Sequence, residues 1–427
     1  MNVLYVAHGH PSQARGGGEL AAWRLFKHFS TLYGPTNCGL LAAARSTKNF
    51  PPGCEVMGLA ANQWLLKPSS NPVIHNTAAN LGVNSSLHQA LRYLEPNLIH
   101  MHHYLHLGVD LIHALKLWFP QAKFVLTLHD YWGMCAHEGR LLRRSGDLCP
   151  EPEVEACINC LASTEAAAYL AIRAVRMKRF FAAIDHFIAP SYFLKQQYQT
   201  WGISAKKLSV IENLPPTQEQ TSHQPEFCST LRLGYFGQVN QWKGLNIILE
   251  AVAKAQGQGV NICLQVHGID ADGISEGVEQ ANPFHLNCAH WLGQIKAGAV
   301  QLNGSYHETE LTERLLGVDV LVMGSIWYEN SPMVIQEAFC HGLPVVAPKL
   351  GGMAEKINHN KNGLLYEAAN TSALASLFVQ LATDPKLAAR LKANARKAGL
   401  GLHRVATQHE RFYARCLHEK STKKKNL

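Results

Sequence analysis

The amino-acid sequence alternates short apolar runs with helical patterns, and it does so in two separate series. The apolar runs of the first series, typical of buried parallel strands, are Val3–Ala7, Leu98–Met101, 124–128 and His186–Ala189. Helical periodicity lies between these runs, at 19–32, 109–117 and 165–183. The second series begins at Leu231–Phe236. Such alternation predicts an α/β protein with doubly wound sheets, whose ligands bind at the carboxyl ends of the strands.

A polar, proline-rich stretch separates the two series. It contains Pro215, Pro216 and Pro225 among glutamine, serine and threonine residues, a composition typical of a linker between domains. At 427 residues the chain is long enough for two hydrophobic cores. We therefore predict a first domain at 1–214, a linker at 215–228, a second domain at 229–400, and at 401–427 a C-terminal helix with a basic tail.

One strand-to-helix junction in the second series carries two carboxylates. An apolar run at 318–323 predicts a buried strand, and a helix is predicted at 333–341, where Gly342 ends it. Ser331 suits the N-cap of this helix and Pro332 its first position. Glu329 then lies above the carboxyl end of the strand, and Glu337 about a turn and a half into the helix.

The start of that helix is a favourable place for a phosphate. The first N–H groups of a helix have no acceptor within it, so those near Met333 and Val334 are available to an anion. A phosphate pocket with one carboxylate beside it and another within reach of a ribose predicts a sugar-nucleotide site. The alternative is that Glu329 is a solvated loop residue and Glu337 an exposed helix charge.

The residues that follow the two carboxylates point to a family. They are the run H-G-L-P-V-V at 341–346, Gly351 and Gly352, Glu355, and the run N-G-L-L at 362–365. This series resembles the retaining glycosyltransferases of the GT-B fold, family four (glycosyl transferases group 1) in particular. The resemblance implies two doubly wound Rossmann-like domains facing a cleft, with a last helix that crosses back onto the first domain.

The resemblance also implies roles for the residues of the junction. A nucleoside diphosphate sugar would bind mainly to the second domain. Glu337 would accept hydrogen bonds from the ribose hydroxyls, and the N–H groups near Met333 and Val334 would hold the diphosphate. Glu329, with Asn330 and Ser331, would contact the hydroxyls of the sugar ring. Glu329 is thus predicted to be catalytic, and no metal or other cofactor is required for the transfer.

The loop after Leu231–Phe236 resembles the family with one departure. The family usually has glycine-arginine here and a lysine six residues after the glycine. Gly237 and Lys243 match this pattern, whereas Gln238 stands in place of the arginine. Two cations normally offset the charge that grows on the leaving diphosphate. This chain keeps Lys243, predicted to be catalytic and to bind the donor, with an amide beside it. The alternative is a surface lysine.

Two sites in the first domain also match the family. Gly16 and Gly17 follow the first strand and open a helix, where the backbone can approach the donor diphosphate; the alternative is a flexible turn. His129 lies at the end of the strand at 124–128. It matches the histidine that the family places against the transferred sugar, and we predict a catalytic role, although a strand-end histidine can also be structural.

Four of the eleven cysteines fall within one short loop, at 135–160. Cys135, Cys149, Cys157 and Cys160 include a Cys-x2-Cys pair, which suits tetrahedral zinc in a structural role. Many family-four sequences resemble the chain here, with a cysteine-bearing loop after His-Asp-Tyr-Trp. The alternative is unbridged or redox-active thiols.

Charge and hydropathy limit where the protein is expected to be located and what it is expected to bind. The first residues lack the basic start and long apolar core of a signal peptide, and no apolar run approaches the roughly 20 residues that span a bilayer. We expect a cytoplasmic protein. The formal charge of +8 includes a basic tail at 420–425, either a solvated end or a contact with anionic lipid at the cytosolic membrane face. No basic-aromatic module accompanies the charge, so nucleic acid is not an expected partner.

The function predicted from the sequence is therefore retaining transfer of a sugar to a glycan, lipid-linked or small-molecule acceptor. Two alternatives stay open: a sugar-nucleotide epimerase of similar fold, and a non-catalytic zinc-loop interaction protein on a degenerate GT-B fold. No residue indicates the donor base, the sugar, the acceptor or the oligomeric state.

Overall fold

The computed structural model describes residues 1–13, 16–48, 50–69, 76–216, 230–399 and 401–418. The chain divides into two compact units. Unit 1 comprises Met1–Leu214 together with the C-terminal segment from Leu402, and unit 2 comprises Pro215–Gly401. Most of the predicted linker and the whole basic tail lie outside the described residues. Each unit contains one largely parallel sheet with helices, which confirms the predicted α/β class.

Unit 1 contains an eight-stranded sheet in the order β3-β4-β2-β1-β5-β6-β7-β8. The strands are β1 Val3–Ala7, β2 Cys38–Ala43, β3 Val56–Ala60, β4 Gln63–Leu66, β5 Leu98–Met101, β6 Lys123–Thr127, β7 His186–Ala189 and β8 Leu208–Val210. Only the edge pair β3–β4 is antiparallel. Every residue of β1 is buried because helices cover the sheet, which explains why this strand reads as a continuous apolar run.

The helices of unit 1 connect these strands. They are α1 Gly17–Tyr33, α2 Ser86–Arg92, α3 Leu111–Trp118, α4 Val154–Leu161, α5 Ala166–Ala182, α6 Tyr192–Thr200 and, at the C-terminus, α15 Leu402–His418. No helix in the described residues combines the length and the apolar character needed to cross a lipid bilayer.

Unit 2 contains a six-stranded parallel sheet in the order β11-β10-β9-β12-β13-β14. The strands are β9 Leu231–Phe236, β10 Ile262–His267, β11 Val300–Leu302, β12 Val320–Val322, β13 Val345–Pro348 and β14 Gly363–Tyr366. The helices are α7 Leu245–Gln256, α8 Ala271–Glu279, α9 Pro283–Gln294, α10 Leu311–Leu316, α11 Met333–Cys340, α12 Gly351–Lys356, α13 Thr371–Thr383 and α14 Pro385–Ala398. Its core is aliphatic, with residues such as Ile248, Leu264 and Leu374 fully buried.

The C-terminal helix α15 is anchored to the sheet of unit 1 by polar contacts. The hydroxyl of Tyr413 lies 2.7 Å from Nδ1 of His100 on β5, and both residues are fully buried. His409 Nε2 lies 3.3 Å from the carbonyl oxygen of Glu212, and Arg415 donates to Ser209 on β8. These contacts join a segment remote in sequence to the centre of the first sheet.

Candidate functional site

In unit 2, Glu329 is held by three hydrogen-bond donors. It lies in the loop between β12 and α11 and is 6 % exposed. Its Oε1 atom accepts from Lys243 Nζ at 2.6 Å, Ser325 Oγ at 2.8 Å and Trp327 Nε1 at 3.0 Å. Oε2 makes no hydrogen bond with any residue that the structure describes. One oxygen therefore fixes the carboxylate, while the other can accept from a ligand.

Lys243 reaches Glu329 because two loops pack directly against each other. Gly244 has φ +65°, and a Cβ atom there would overlap the carbonyl oxygen of Gly324. The N–H of Ile326 donates to the carbonyl of Trp242 at 3.0 Å. Contact between two glycines thus brings the loop after β9 onto the loop after β12.

The side chain of Asn240 shapes the loop that carries Lys243. Its Oδ1 accepts from the N–H groups of Trp242 at 3.0 Å and Lys243 at 3.1 Å. Such a side-chain cap holds a short turn without regular secondary structure. The ammonium of Lys243 lies 5.5 Å from the centre of the Trp327 ring, so Trp327 contacts both members of the ion pair.

Gly351 and Gly352 pack against the backbone of Glu329 and Asn330. The N–H of Gly352 donates to the carbonyl of Glu329 at 2.7 Å. A Cβ atom at Gly352 would overlap the carbonyl oxygen of Asn330, and Gly351 has φ +52°. The backbone at Glu329 and Asn330 can therefore lie directly against the start of α12. This close contact explains why the sequence has two glycines at this point.

The start of helix α11 differs from the sequence prediction. Pro332, with ψ 115°, is the N-cap in place of Ser331, and no side chain caps the helix. The prediction was wrong by one position because the extended ψ of Pro332 delays helical geometry until Met333. The first-turn N–H groups of Met333 and Val334 still have no acceptor within the helix.

The carboxylate residue Glu337 is buried on α11, in the second turn of the helix. Asn330 and Ser331, predicted to contact the sugar, are also buried, in the loop that precedes the helix. The imidazole Nδ1 of His341, the C-cap, lies 2.8 Å from the carbonyl oxygen of Glu337. The structure thus places Glu329, Lys243 and the start of α11 within one region of unit 2.

Gly237 and Gln238 follow β9, as predicted. Gly237 has φ +141°, and a Cβ atom there would have no neighbour within 4 Å in the part of the chain that the structure describes. The carbonyl of Gln238 accepts from the hydroxyl of Tyr235 at 2.8 Å, and the Gln238 side chain is exposed. Burial and the nearby Glu329 carboxylate raise the pKa of Tyr235, so its hydroxyl stays protonated as a donor.

In unit 1, the glycines at the start of α1 pack against two histidines. Gly18 is the third glycine of this run. A Cβ atom there would lie 3.1 Å from His8 and 3.6 Å from His129, so the close packing of these histidines favours glycine at this position. A Cβ atom at Gly16 would overlap the Glu19 carboxylate. The predicted pair Gly16 and Gly17 therefore lies next to a set of buried polar side chains.

Glu19 connects this glycine loop to a histidine cluster. Its Oε1 lies 3.3 Å from both His8 Nε2 and Arg45 Nη2. Burial lowers the pKa of His8 well below its usual value, with further contributions from His103 and His129. Because His8 is neutral, Arg45, which donates to Glu19 Oε1, supplies the positive charge beside this carboxylate.

His129 belongs to the same cluster and is neutral near pH 7. Its Nε2 lies 2.9 Å from Nδ1 of His102, and the two rings are stacked. Burial, reinforced by His103 and opposed by Asp130, lowers the pKa of His129 to about 4. Burial favours protonation of Asp130, but His103 at 2.8 Å and the N–H of Trp132 bring its pKa below the usual value.

The four cysteines of the 135–160 loop line one small cavity in unit 1. The cavity has a volume of about 20 Å³, and its walls include Cys135, Cys149, Cys157 and Cys160. All four are free thiols. Nowhere in the described chain are three or more His, Cys, Asp or Glu side chains already placed as metal ligands.

Several residues of these sites could not be identified from sequence patterns. Ser325 and Trp327 donate to Glu329, but the only available signal was their position in the same loop. His8, His102 and Glu19 lie on separate elements, and the dense histidine run at 100–103 was the one visible hint of a cluster.

The comparisons with protein families match both parts of the chain. Residues 64–218 match the model described as Glycosyltransferase Family 4, and residues 221–398 match Glycosyl transferases group 1. The chain is 25 % identical over 309 residues to a D-inositol 3-phosphate glycosyltransferase of Arthrobacter sp. (strain FB24), an alignment that covers 68 % of this chain and 63 % of the relative. It is 25 % identical to the amylovoran biosynthesis glycosyltransferase AmsK of Erwinia amylovora, over 48 % of this chain and 49 % of the relative. The chain thus spans between about half and two thirds of these relatives.

Solved structures share the fold. Anabaena Alr3699/HepE, solved in complex with UDP and glucose, has a TM-score of 0.65 and 18 % identity, covering 97 % of this chain and 100 % of that one. Sucrose-phosphate synthase from Thermosynechococcus elongatus has a TM-score of 0.63 and 17 % identity, covering 97 % and 99 %. These similarities confirm the predicted GT-B fold.

Replacement of Gly352 by alanine should disrupt the Glu329 loop. The new methyl group overlaps the carbonyl oxygen of Asn330, so we expect a loss of about 1–3 kcal/mol in the free energy of unfolding, measured in urea. Gly293→Ala in helix α9 is the matched control, since a Cβ there meets nothing within 4 Å and alanine favours helix. Equal stability of the two variants would contradict the supporting role of Gly352.

Unit 1 should lose stability as the pH falls from about 6.5 to about 4. Burial lowers the pKa of His409 and His129 to about 4, whereas the unfolded chain titrates near 6.5. The unfolded state therefore takes up protons first, and the loss levels off below the folded pKa, at about 3 kcal/mol per such histidine.

Urea unfolding at a series of pH values measures this dependence. His409→Gln keeps a donor for the Glu212 carbonyl and removes one titrating group, so its stability should fall less steeply over the same range. Identical slopes for the variant and the wild type would show that His409 is not among the histidines that stay neutral.

Proposed function

The chain belongs to the group 1 (family 4) glycosyltransferases, and we propose that it transfers a sugar from a nucleoside diphosphate sugar to an acceptor hydroxyl. Unit 2 binds the donor and unit 1 contributes acceptor-side groups. The observation that carries this proposal is the ion pair between half-buried Lys243 and buried Glu329, in the loop that leads into the first turn of α11. A cation, a fixed carboxylate and free helix N–H groups are the complement of a sugar diphosphate.

Each group of unit 2 has a defined task. The N–H groups of Met333 and Val334 bind the diphosphate oxygens, and Lys243 moves from Glu329 onto the leaving phosphate as negative charge grows there. The free Oε2 of Glu329 accepts a hydrogen bond from a sugar hydroxyl. Glu337 accepts from the ribose.

We propose that the reaction retains the anomeric configuration. The acceptor oxygen attacks the anomeric carbon on the face that the diphosphate leaves, the bond from that carbon to the diphosphate oxygen breaks, and the same oxygen takes the acceptor proton. The enzyme then contributes mostly positioning and electrostatic stabilisation. Gln238 replaces the second cation of the family pattern, so Lys243 and the helix N–H groups carry the whole stabilisation of the leaving group.

In unit 1, His129 serves as a neutral hydrogen-bonding group against the transferred sugar. Its pKa of about 4 keeps it uncharged at physiological pH, so it adds no positive charge beside the sugar cation that forms in the transition state. The Gly16 and Gly17 backbone provides a close approach for the donor. The acceptor class proposed is a polyhydroxyl compound, either a glycan or a lipid-linked saccharide, and the relatives named for D-inositol 3-phosphate and for amylovoran support a hydroxyl-rich acceptor.

Glu329→Gln and Lys243→Ala should each lower turnover by roughly a hundredfold or more, the scale of one lost transition-state contact. Glutamine keeps an oxygen for the three donors at Oε1, but it replaces Oε2 by an amide donor and removes the charge paired with Lys243. Initial rates of sugar transfer with saturating donor measure both effects.

Lys254→Ala is the matched control for these variants. Lys254 also forms an ion pair with a glutamate, Glu250, on α7, next to Thr371 at the start of α13, and its loss should leave turnover unchanged. Near wild-type turnover in Glu329→Gln or Lys243→Ala would refute the role assigned to that residue.

Thermal stabilisation by a panel of UDP-, GDP-, ADP- and dTDP-sugars should identify the donor. A true donor raises the melting temperature of the wild type, since it binds only the folded state, and it should fail to stabilise Glu337→Ala. Analysis of the sugar nucleotide after incubation without acceptor distinguishes the epimerase alternative, because an isomerised sugar nucleotide would overturn transfer as the main reaction. If none of these sugar nucleotides raised the melting temperature, the donor would not be among the compounds tested.

A further inference from the structure

The 135–160 loop of unit 1 places four thiols around one small cavity. Leu142 and Leu148 form an isolated antiparallel bridge, and the N–H of Cys149 donates to the carbonyl of Leu141 at 2.8 Å. This short hairpin returns Cys149 towards the start of the loop. Cys157 and Cys160 lie one helical turn apart on α4, so they share one face of that helix.

The cavity between these thiols has the size of a single ion. Its volume of about 20 Å³ is close to that of one or two water-sized spheres, each needing roughly 10–15 Å³. The remaining walls are largely apolar, with Leu142, Pro152, Ala156 and Leu161 among them. Four sulfur atoms therefore supply most of the possible ligands.

Two arginines lie near the cysteines of this loop. Arg143 lines the cavity, and Arg173 lies close enough to interact with both Cys135 and Cys157. Guanidinium groups beside metal-bound thiolates stabilise the negative charge of such a site.

The first half of the loop is anchored by the buried residues Leu141 and Leu142, whereas the helix in its second half is not buried. Helix α4 has no fully buried residue, although it contacts α5. A short helix without a buried face is marginal on its own, because helices in proteins are stabilised mainly by packing. A metal ion that joins both ends of the loop supplies the missing folding free energy.

We propose that Cys135, Cys149, Cys157 and Cys160 bind one structural Zn²⁺ ion. Four thiolates are the ligand set that selects zinc in a closed tetrahedral site. On binding, the four thiols lose their protons to solvent and four sulfur–zinc bonds form. Cys135 and Cys149 then give up their contacts with the carbonyl oxygens of His137 and Glu151, and their side chains rotate into the cavity.

The zinc ion would also steady a segment that leads directly to His129. Arg173 on α5 donates to the carbonyl oxygens of Trp132, Gly133 and Cys135. The N–H of Trp132 in turn donates to Asp130 Oδ1 at 2.8 Å. A loop fixed by zinc would therefore hold the backbone between 130 and 135 in place, and with it the side chain of Asp130. This proposal stands independently of the donor and acceptor.

Metal analysis of the full-length protein tests the zinc site. The protein is produced with added zinc and reductant, without a histidine tag and without chelator, and is then gel-filtered. We expect about one zinc per chain in the wild type and in Cys54→Ser, whose thiol lies outside the loop and donates to the Val56 carbonyl. Cys157→Ser and Cys160→Ser should each retain less than about a tenth of that zinc.

A second measurement uses only the wild type, so it tests the zinc site even if the serine variants do not fold. Zinc is removed by a chelator and replaced by Co²⁺, which should give the absorption of tetrahedral cobalt with sulfur-to-metal charge transfer. Four fewer thiols should react with a thiol reagent when the metal is bound. A metal-free wild type, a cobalt spectrum without thiolate bands, stoichiometric zinc in both serine variants, or disulfides among the four cysteines would each overturn the proposal.

Discussion

The ion pair between Lys243 and Glu329 is the contact on which the proposed donor site of unit 2 depends. A buried carboxylate is costly unless it is paired and hydrogen-bonded, and Glu329 meets this requirement with three donors on one oxygen. The arrangement exists because glycines let three loops approach without side chains between them: Gly244 against Gly324, and Gly352 against Asn330. Close backbone contacts therefore set the positions of the side chains in the proposed donor site.

Unit 1 contains a cluster of buried histidines in place of an ion pair like that of Lys243 and Glu329. It gathers several histidines at the carboxyl ends of β5 and β6, and burial keeps His8 and His129 neutral. Neutral imidazoles donate and accept hydrogen bonds without a net charge. Arg45 supplies the charge that offsets Glu19, so the cluster remains polar and adaptable. Such a surface suits hydroxyl groups, which agrees with the acceptor role proposed for this unit.

The C-terminal helix and the cysteine loop both stabilise this histidine cluster from outside it. Helix α15 reaches His100 through Tyr413, and His100 also contacts Thr127, two residues before His129. On the other side, Arg173 connects α5 to the backbone that follows Asp130. The position of His129 thus rests on two segments that are distant from it in the sequence. The proposed zinc ion would strengthen the second of these supports.

The sequence by itself determined the class of the fold and several of the central strands, because a strand buried on both faces is a continuous apolar run. It also singled out Glu329, Glu337, Lys243 and His129 as candidate site residues, since they match motifs of the family that the chain resembles. Only the tertiary structure decided which atoms they contact. The pairing of Lys243 with Glu329 depends on a contact between Gly244 and Gly324, and that of His102 with His129 on the register of β5 and β6. Local patterns report which residues are buried, whereas contacts between loops depend on how distant backbones pack, and that information is spread over the whole chain.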